Sequence, residues 1–104
     1  MDGTVVEYAP FALRPGIDEA ALRVASARLQ DGFLARQPGW RRRELVAEGD
    51  GRYADLVWWD SLADAEKAMA AAGSSEACAA YFALMAFDGE PGAGVRHLRT
   101  VAIY

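Results

Sequence analysis

Four ionisable side chains, Glu7, Asp55, His97 and Arg99, fall at alternating positions within stretches otherwise rich in β-forming residues. Alternate residues of a strand share one face. Glu7 therefore shares a face with Val5 and Ala9, Asp55 with Val57 and Trp59, and His97 and Arg99 with Val101 and Ile103. The opposite set holds Val6 and Tyr8, Ala54, Leu56 and Trp58, and Leu98, Ala102 and Tyr104, with Thr100 its mildest exception. If helices cover one face and a second subunit the other, the ionisable groups are buried, and they must be paired, hydrogen-bonded or neutralised. A purely structural solution pairs Glu7 or Asp55 with Arg99 and satisfies His97 with a backbone group. A chemical solution places them at the tip of a cleft between sheet and helices, walled by Trp59 and Val57. A few polar groups in an apolar wall are the usual make-up of a small-molecule site.

The elements that must position these groups follow from patterning. Residues 4–11 read as a strand, ended by Pro10 and the Arg14-Pro15-Gly16 turn. A helix follows over residues 17–36, with Asp18 and Glu19 in its first turn and Leu22, Ala25, Leu29 and Phe33 as its buried stripe. Gln37-Pro38-Gly39 stops it. Residues 40–48 and 52–60 read as two strands joined by the hairpin signal Gly49-Asp50-Gly51. Asp60 or Ser61 caps the next helix, whose inward stripe is Leu62, Ala65, Met69 and Ala72. Gly73-Ser74-Ser75 breaks that pattern, and a further helix is expected over residues 76–87. Residues 89–94 form a loop, and residues 95–104 close the chain as a long strand. The order βαββαβ, with right-handed crossovers, predicts one α+β domain over residues 1–104. Its ferredoxin-like antiparallel sheet has the order 4-1-3-2 and helices on one face.

Composition narrows the function classes. The chain has 104 residues, 53% of them hydrophobic, and a net charge of -4. Folding at this size buries roughly 65% of the unfolded chain's surface, enough for a core without staples. So much apolar surface on a small domain favours a homodimer, the commonest oligomer. The acidic balance speaks against nucleic acid as a partner. The basic run Arg41-Arg42-Arg43 lies in a strand, where Arg42 points away from its neighbours. It reads either as a charged edge that blocks aggregation or as one arginine turned inward toward an anionic substrate. A lone cysteine, Cys78, makes neither an internal disulfide nor a cysteine-based metal site; it reads as a small apolar helix residue, and Met69 and Met85 as core. Trp40 and Trp58 read as core or interface aromatics. No stretch approaches membrane-spanning length and the start has no basic leader, so a cytoplasmic protein is expected. Richness in Ala, Arg and Gly is of the kind GC-rich bacterial genomes produce. No phosphate-binding loop, nucleophile elbow, zinc motif or dinucleotide fingerprint is present.

The run Leu56-Val57-Trp58-Trp59-Asp60-Ser61-Leu62, with Arg14-Pro15-Gly16, Gln37-Pro38-Gly39-Trp40 and residues 74–81, resembles the antibiotic-biosynthesis-monooxygenase-like family of dimeric α+β barrels. The resemblance spans nearly the whole chain. It implies two sheets packed face to face in a homodimer, with a small-molecule cleft between sheet and helices in each subunit. It also implies oxidation of a quinol- or anthrone-like hydroxylated aromatic by oxygen, with no cofactor and no metal. Such chemistry needs an apolar pocket, a general base and a donor for the developing oxyanion. His97, the only histidine, is the first candidate base, with Glu7 or Asp55 orienting it or acting as base instead. Arg99 or Tyr81 would stabilise an anion, and Trp59 would stack on a planar ligand. A haem-degrading branch of the superfamily carries an axial histidine where this chain places Tyr81, and an asparagine where Ala9 stands; both departures argue against haem. Because the fold also hosts other reactions and non-catalytic members, the alternative is a ligand-binding or stress-associated dimer module without turnover.

Overall fold

The first β-forming stretch becomes β1 (Val5–Leu13) in the computed structural model, which describes residues 4–87, 92 and 94–104. A turn follows in which the Ile17 amide donates to the Arg14 carbonyl oxygen, with Pro15 and Gly16 between them and Gly16 at φ 89°. Proline at the first central position and glycine at the second suit a type II turn. Helix α1 (Glu19–Gly32) begins at the Asp18 cap, whose carboxylate accepts from the Ala21 amide at 2.9 Å. Strands β2 (Trp40–Gly49) and β3 (Arg52–Trp59) form a hairpin through Asp50 and Gly51, both at positive φ. Helix α2 (Leu62–Ala72) is capped by Ser61 and α3 (Glu76–Phe82) by Ser75, each hydroxyl accepting from an amide three residues on. Two short strands, β4 (Met85–Ala86) and β5 (Arg96–Arg99), complete the sheet.

The sheet is antiparallel, in the order β2-β3-β1, and both β4 and β5 pair with the far edge of β1. β5 lies along the beginning of β1 and β4 along its end. The expected order 4-1-3-2 is thus realised, with two strands sharing the outer place. The register sets Glu7 opposite Val57 on one side and His97 on the other, and Ala9 opposite Asp55. The core contains Phe11, Leu22, Leu29, Phe33, Val57, Trp59, Ala65, Ala68, Tyr81 and Met85, so the helices cover the face that carries Glu7 and Asp55. The opposite face, with Val6, Tyr8, Leu56 and Trp58, is only half-buried.

Several elements differ from the expectation. The last strand ends at Arg99 rather than running to residue 104. Arg99 pairs with Val5, the first residue of β1, and the Thr100 amide donates to the Thr4 carbonyl oxygen; among the described residues the ladder has no partner beyond it. Residues 101–104 are exposed, Val101 by 83% and Ile103 by 82%. Helix α3 stops at Phe82 instead of residue 87, because the following backbone joins β1: the Arg14 amide donates to Leu84 and Arg14 Nε to the Met85 carbonyl. Helix α1 ends at Gly32, and Leu34–Arg36 tighten into a 3-10 turn. In α2 the inward residues are Ala65 and Ala68, while Leu62 and Met69 are exposed; small side chains there let the helix approach the sheet closely. The loop expected over residues 89–94 lies largely outside the described residues.

Candidate functional site

A cavity of about 600 Å³ opens between the sheet and the helices. Its apolar wall includes Phe11, Leu29, Phe33, Leu34, Met85 and Phe82, and its polar atoms come chiefly from Glu7, Asp55 and Tyr81. β1 brings Glu7 and β3 brings Asp55 because both lie on the helix-facing side of the pleat. α3 brings Tyr81, a fully buried side chain whose ring packs edge-on to Phe11.

Glu7 sits between two groups. The Trp59 indole Nε1 donates to its Oε1 at 3.2 Å, and His97 Nε2 lies 3.4 Å from the same oxygen. The histidine is at ion-pair distance but off the line of a hydrogen bond, and its buried Nε2 has no other partner among the described residues. Burial pushes the Glu7 carboxyl above its ordinary range, while His97 and the Trp59 donor pull it partway back.

Asp55 belongs to a second cluster. Arg43 Nε donates to its Oδ1 at 2.8 Å, and the Tyr81 hydroxyl donates to its Oδ2 at 2.8 Å. The same arginine donates to the Tyr81 oxygen at 3.2 Å and to the Ser26 carbonyl at 3.1 Å. Its guanidinium carbon stands 5.4 Å from the centre of the Tyr81 ring. Burial raises the Asp55 pKa against the opposing pull of Arg43 and the Tyr81 hydroxyl. Burial and the neighbouring carboxylate push the Tyr81 phenol upward, so it remains a neutral donor.

The site therefore departs from the expected one in four respects. Arg99 is exposed and reaches neither carboxylate; Asp55 pairs with Arg43, and Glu7 with His97. Among the described residues no backbone group accepts from or donates to His97 Nε2. Trp59, 2% exposed, and Val57 lie packed beneath the cleft rather than lining it, and Trp59 reaches the site only through Glu7. Tyr81 does border the cleft, but its proton is committed to Asp55. Cys78 lines the apolar wall, where burial raises its thiol pKa. Among the described residues no group of three potential ligands could hold a metal.

No family model matches the sequence, and no curated protein does either. Solved structures do. The chain overlays the cofactor-independent oxygenase SnoaB of Streptomyces nogalater with a TM-score of 0.69 at 23% identity, over 98% of this chain and 95% of that one. A protein of Bordetella bronchiseptica assigned to the antibiotic biosynthesis monooxygenases gives 0.77 at 24% identity, over 96% and 99%. A similarly assigned protein of Caulobacter crescentus gives 0.70 at 20%, over 97% and 92%.

The fold is that of the antibiotic biosynthesis monooxygenase-like proteins. In this monooxygenase-like fold the cleft between sheet and helices carries the polar residues that alternation singles out, Glu7 and Asp55. Arg43 is the partner of Asp55 that alternation did not single out. A register shift between Trp40 and Arg42 lets Arg42 oppose Trp58 and Arg43 oppose Val57, on the same face as Trp40. Arg42 stacks over Trp58 outside, 4.9 Å from its ring centre, and Arg41 pairs with Asp60 at the surface. The inward arginine thus exists, but it meets Asp55 rather than an anionic substrate. Its one sequence signal is indirect: a buried Asp55 demands a cation on a neighbouring strand.

Proposed function

We propose that the protein binds a hydroxylated aromatic of the quinol or anthrone class in this cleft and oxidises it with dioxygen. The observation that carries the reading is the Glu7 carboxyl, raised by burial and standing at the polar end of an otherwise apolar cavity. A carboxylate made more basic by burial is a better acceptor for a phenolic or benzylic proton than an exposed one. Glu7 takes that proton, and His97, 3.4 Å away, passes it toward solvent. The resulting anion donates one electron to oxygen; superoxide and the substrate radical combine at carbon, and the proton returns to form a hydroperoxide. Loss of water from the hydroperoxide leaves the carbonyl product, so one substrate and one dioxygen give one quinone and one water. The apolar wall of the cavity keeps bulk water from the anion, and Trp59 fixes the Glu7 oxygen from which the proton is managed.

The cavity has room for a polycyclic ligand, and the names of the structural neighbours, SnoaB among them, agree with an oxygenase. A homodimer through the outer sheet face belongs to the same proposal. Support comes from the half-exposed Trp58 and Leu56 and from the exposed apolar end at Val101 and Ile103. The second reading, a ligand-binding module without turnover, draws on the Asp55 cluster, in which each carboxylate oxygen already accepts a hydrogen bond, as in a structural network.

Oxygen uptake by metal-free protein with quinols, anthrones and flavonols separates the two. Uptake above a protein-free blank, lost in His97→Ala, is the expected result. Uptake at the blank rate with every substrate would remove the oxygenase reading and leave the binding module.

A further inference from the structure

The two carboxyls of the cleft are held differently. Each oxygen of Asp55 already accepts one hydrogen bond, from Arg43 Nε and from the Tyr81 hydroxyl. Only one oxygen of Glu7 has partners among the described residues. Arg43 is itself held at all three nitrogens, by Asp55, Ser26 and Tyr81, with its side chain 6% exposed. It borders the groove between α1 and β2 and not the cleft. Tyr81 gives its only proton to Asp55 and accepts from Arg43, so it has no donor to offer a ligand. What this cluster presents to the cleft is the remaining lone pairs of an oriented carboxylate, since an ionised carboxyl accepts at about four sites.

Glu7 opposes Val57 and Ala9 opposes Asp55, which makes Glu7 and Asp55 diagonal neighbours on adjacent strands. Diagonal side chains of this kind stand about 7 Å apart. Such a pair suits a flat molecule with two hydroxyl groups on separated positions. An ether oxygen, which can only accept, has no complement on this wall.

We propose that Arg43 is a positioning residue that fixes Asp55 as the acceptor for a second ligand hydroxyl, so that the cleft selects aromatics bearing two hydroxyl groups. The proposal rests on the small-molecule reading of the cleft and does not require turnover. Glu7 receives the hydroxyl to be deprotonated, and Asp55 anchors the other. Arg43 never touches the ligand. Its fork holds Asp55 and Tyr81 in one plane of hydrogen bonds, a task that the single ammonium of lysine performs poorly.

The test is anaerobic calorimetric titration with 2,6-dihydroxynaphthalene, its monomethyl ether and its dimethyl ether. Wild type should bind the diol at least about tenfold more tightly than the monomethyl ether, as expected for a hydrogen bond to a charged acceptor. In Arg43→Lys that preference should fall toward unity while the dimethyl ether binds as before. A merely structural arginine would lower the melting temperature and leave the preference intact, and that outcome in folded Arg43→Lys overturns the proposal. Tyr81→Phe keeps the Arg43–Asp55 pair and should keep the preference. If Arg43→Lys does not fold, an intact preference in Tyr81→Phe together with its loss in Asp55→Asn supports the proposal, and an unchanged preference in Asp55→Asn or a lost one in Tyr81→Phe overturns it. Equal affinity of wild type for diol and ether, or no diol binding, also overturns it. Selective diol binding in a protein without oxygen uptake would sink the oxygenase reading and leave this inference standing.

Discussion

Glu7 shows how a residue at a strand's centre becomes chemistry. Its carboxyl is raised by burial, so the folded protein retains a proton at a pH where the unfolded chain has already lost it. Stability from this group is then complete below the ordinary carboxyl value of 4.5 and declines as pH rises through the elevated folded value. Asp55 is raised too and acts in the same direction. Glu7→Gln should therefore flatten the fall in stability as pH rises from 4.5 through the elevated folded value and leave the protein more stable above it. Urea denaturation across that range checks it; a slope equal to wild type would show that Glu7 titrates alike in both states. His97→Ala leaves the apolar wall untouched, since the ring does not line the cleft. It should abolish oxygen uptake with little change in melting temperature, and full uptake would remove His97 from the mechanism. Alternation alone made Glu7 and Asp55 visible as cleft residues. The Glu7–His97 pairing was among the alternatives the sequence offered, whereas the Arg43 partner of Asp55 was not, because that pairing depends on which neighbouring strand delivers a cation.

At the scale of elements, junctions rather than helix interiors hold the site's frame. Gly39 is the clearest. It adopts φ 80°, and a Cβ there would run into the Asp64 side chain, which itself accepts from the Ser61 hydroxyl that caps α2. The Gly39 carbonyl also accepts from the Asp60 amide at 2.8 Å. One residue thus joins the start of β2, the end of β3 and the first turn of α2. Gly39→Ala should cost at least about 2 kcal/mol, from left-handed backbone strain together with loss of the cap. Thermal or urea unfolding measures it, and a change below about 0.5 kcal/mol would mean that Asp64 simply swings away. Gln37-Pro38-Gly39 marked this boundary in the sequence as a helix stop. Its second role, making room for Asp64, needs the packing of α2 against the β2–β3 end. The α2 stripe illustrates the same limit. Spacing selected Leu62 and Met69 along with Ala65 and passed over Ala68, and only the packing of the helix on the sheet chose the two alanines.

For the whole molecule, the unresolved balance is between the two sheet faces. The helices bury one face, while Val6, Tyr8, Leu56 and Trp58 are half-covered and Leu98 is exposed. An apolar sheet face of this extent marks an interaction surface, and the proposed homodimer would cover it with the same face of a second copy. Trp58→Asp should release monomers in light scattering, because it removes the large apolar indole from the proposed pairing surface and carries a charged group into it, even with Arg42 beside it. An unchanged dimer mass would move the interface elsewhere. The helix-facing cleft should survive this change, so diol binding in the monomeric variant would further separate assembly from ligand recognition.

Periodicity and turn chemistry by themselves determined the element order, the antiparallel hairpin and the division of residues into two sheet faces. These are local properties: a pleat alternates, a glycine at positive φ turns, and a serine caps whatever packs above it. They reached as far as Glu7 and Asp55. Only the tertiary structure decided that Arg43 turns inward, that Arg99 does not, and that Trp59 acts from beneath the cleft. The physical reason is register. A single shift between Trp40 and Arg42 changes which arginine faces the helices, and the pairing of Arg99 with Val5 sets Arg99 beside the first residue of β1, away from both carboxylates. Neither is written in the residues that move, because each is set by where the neighbouring strand begins and ends.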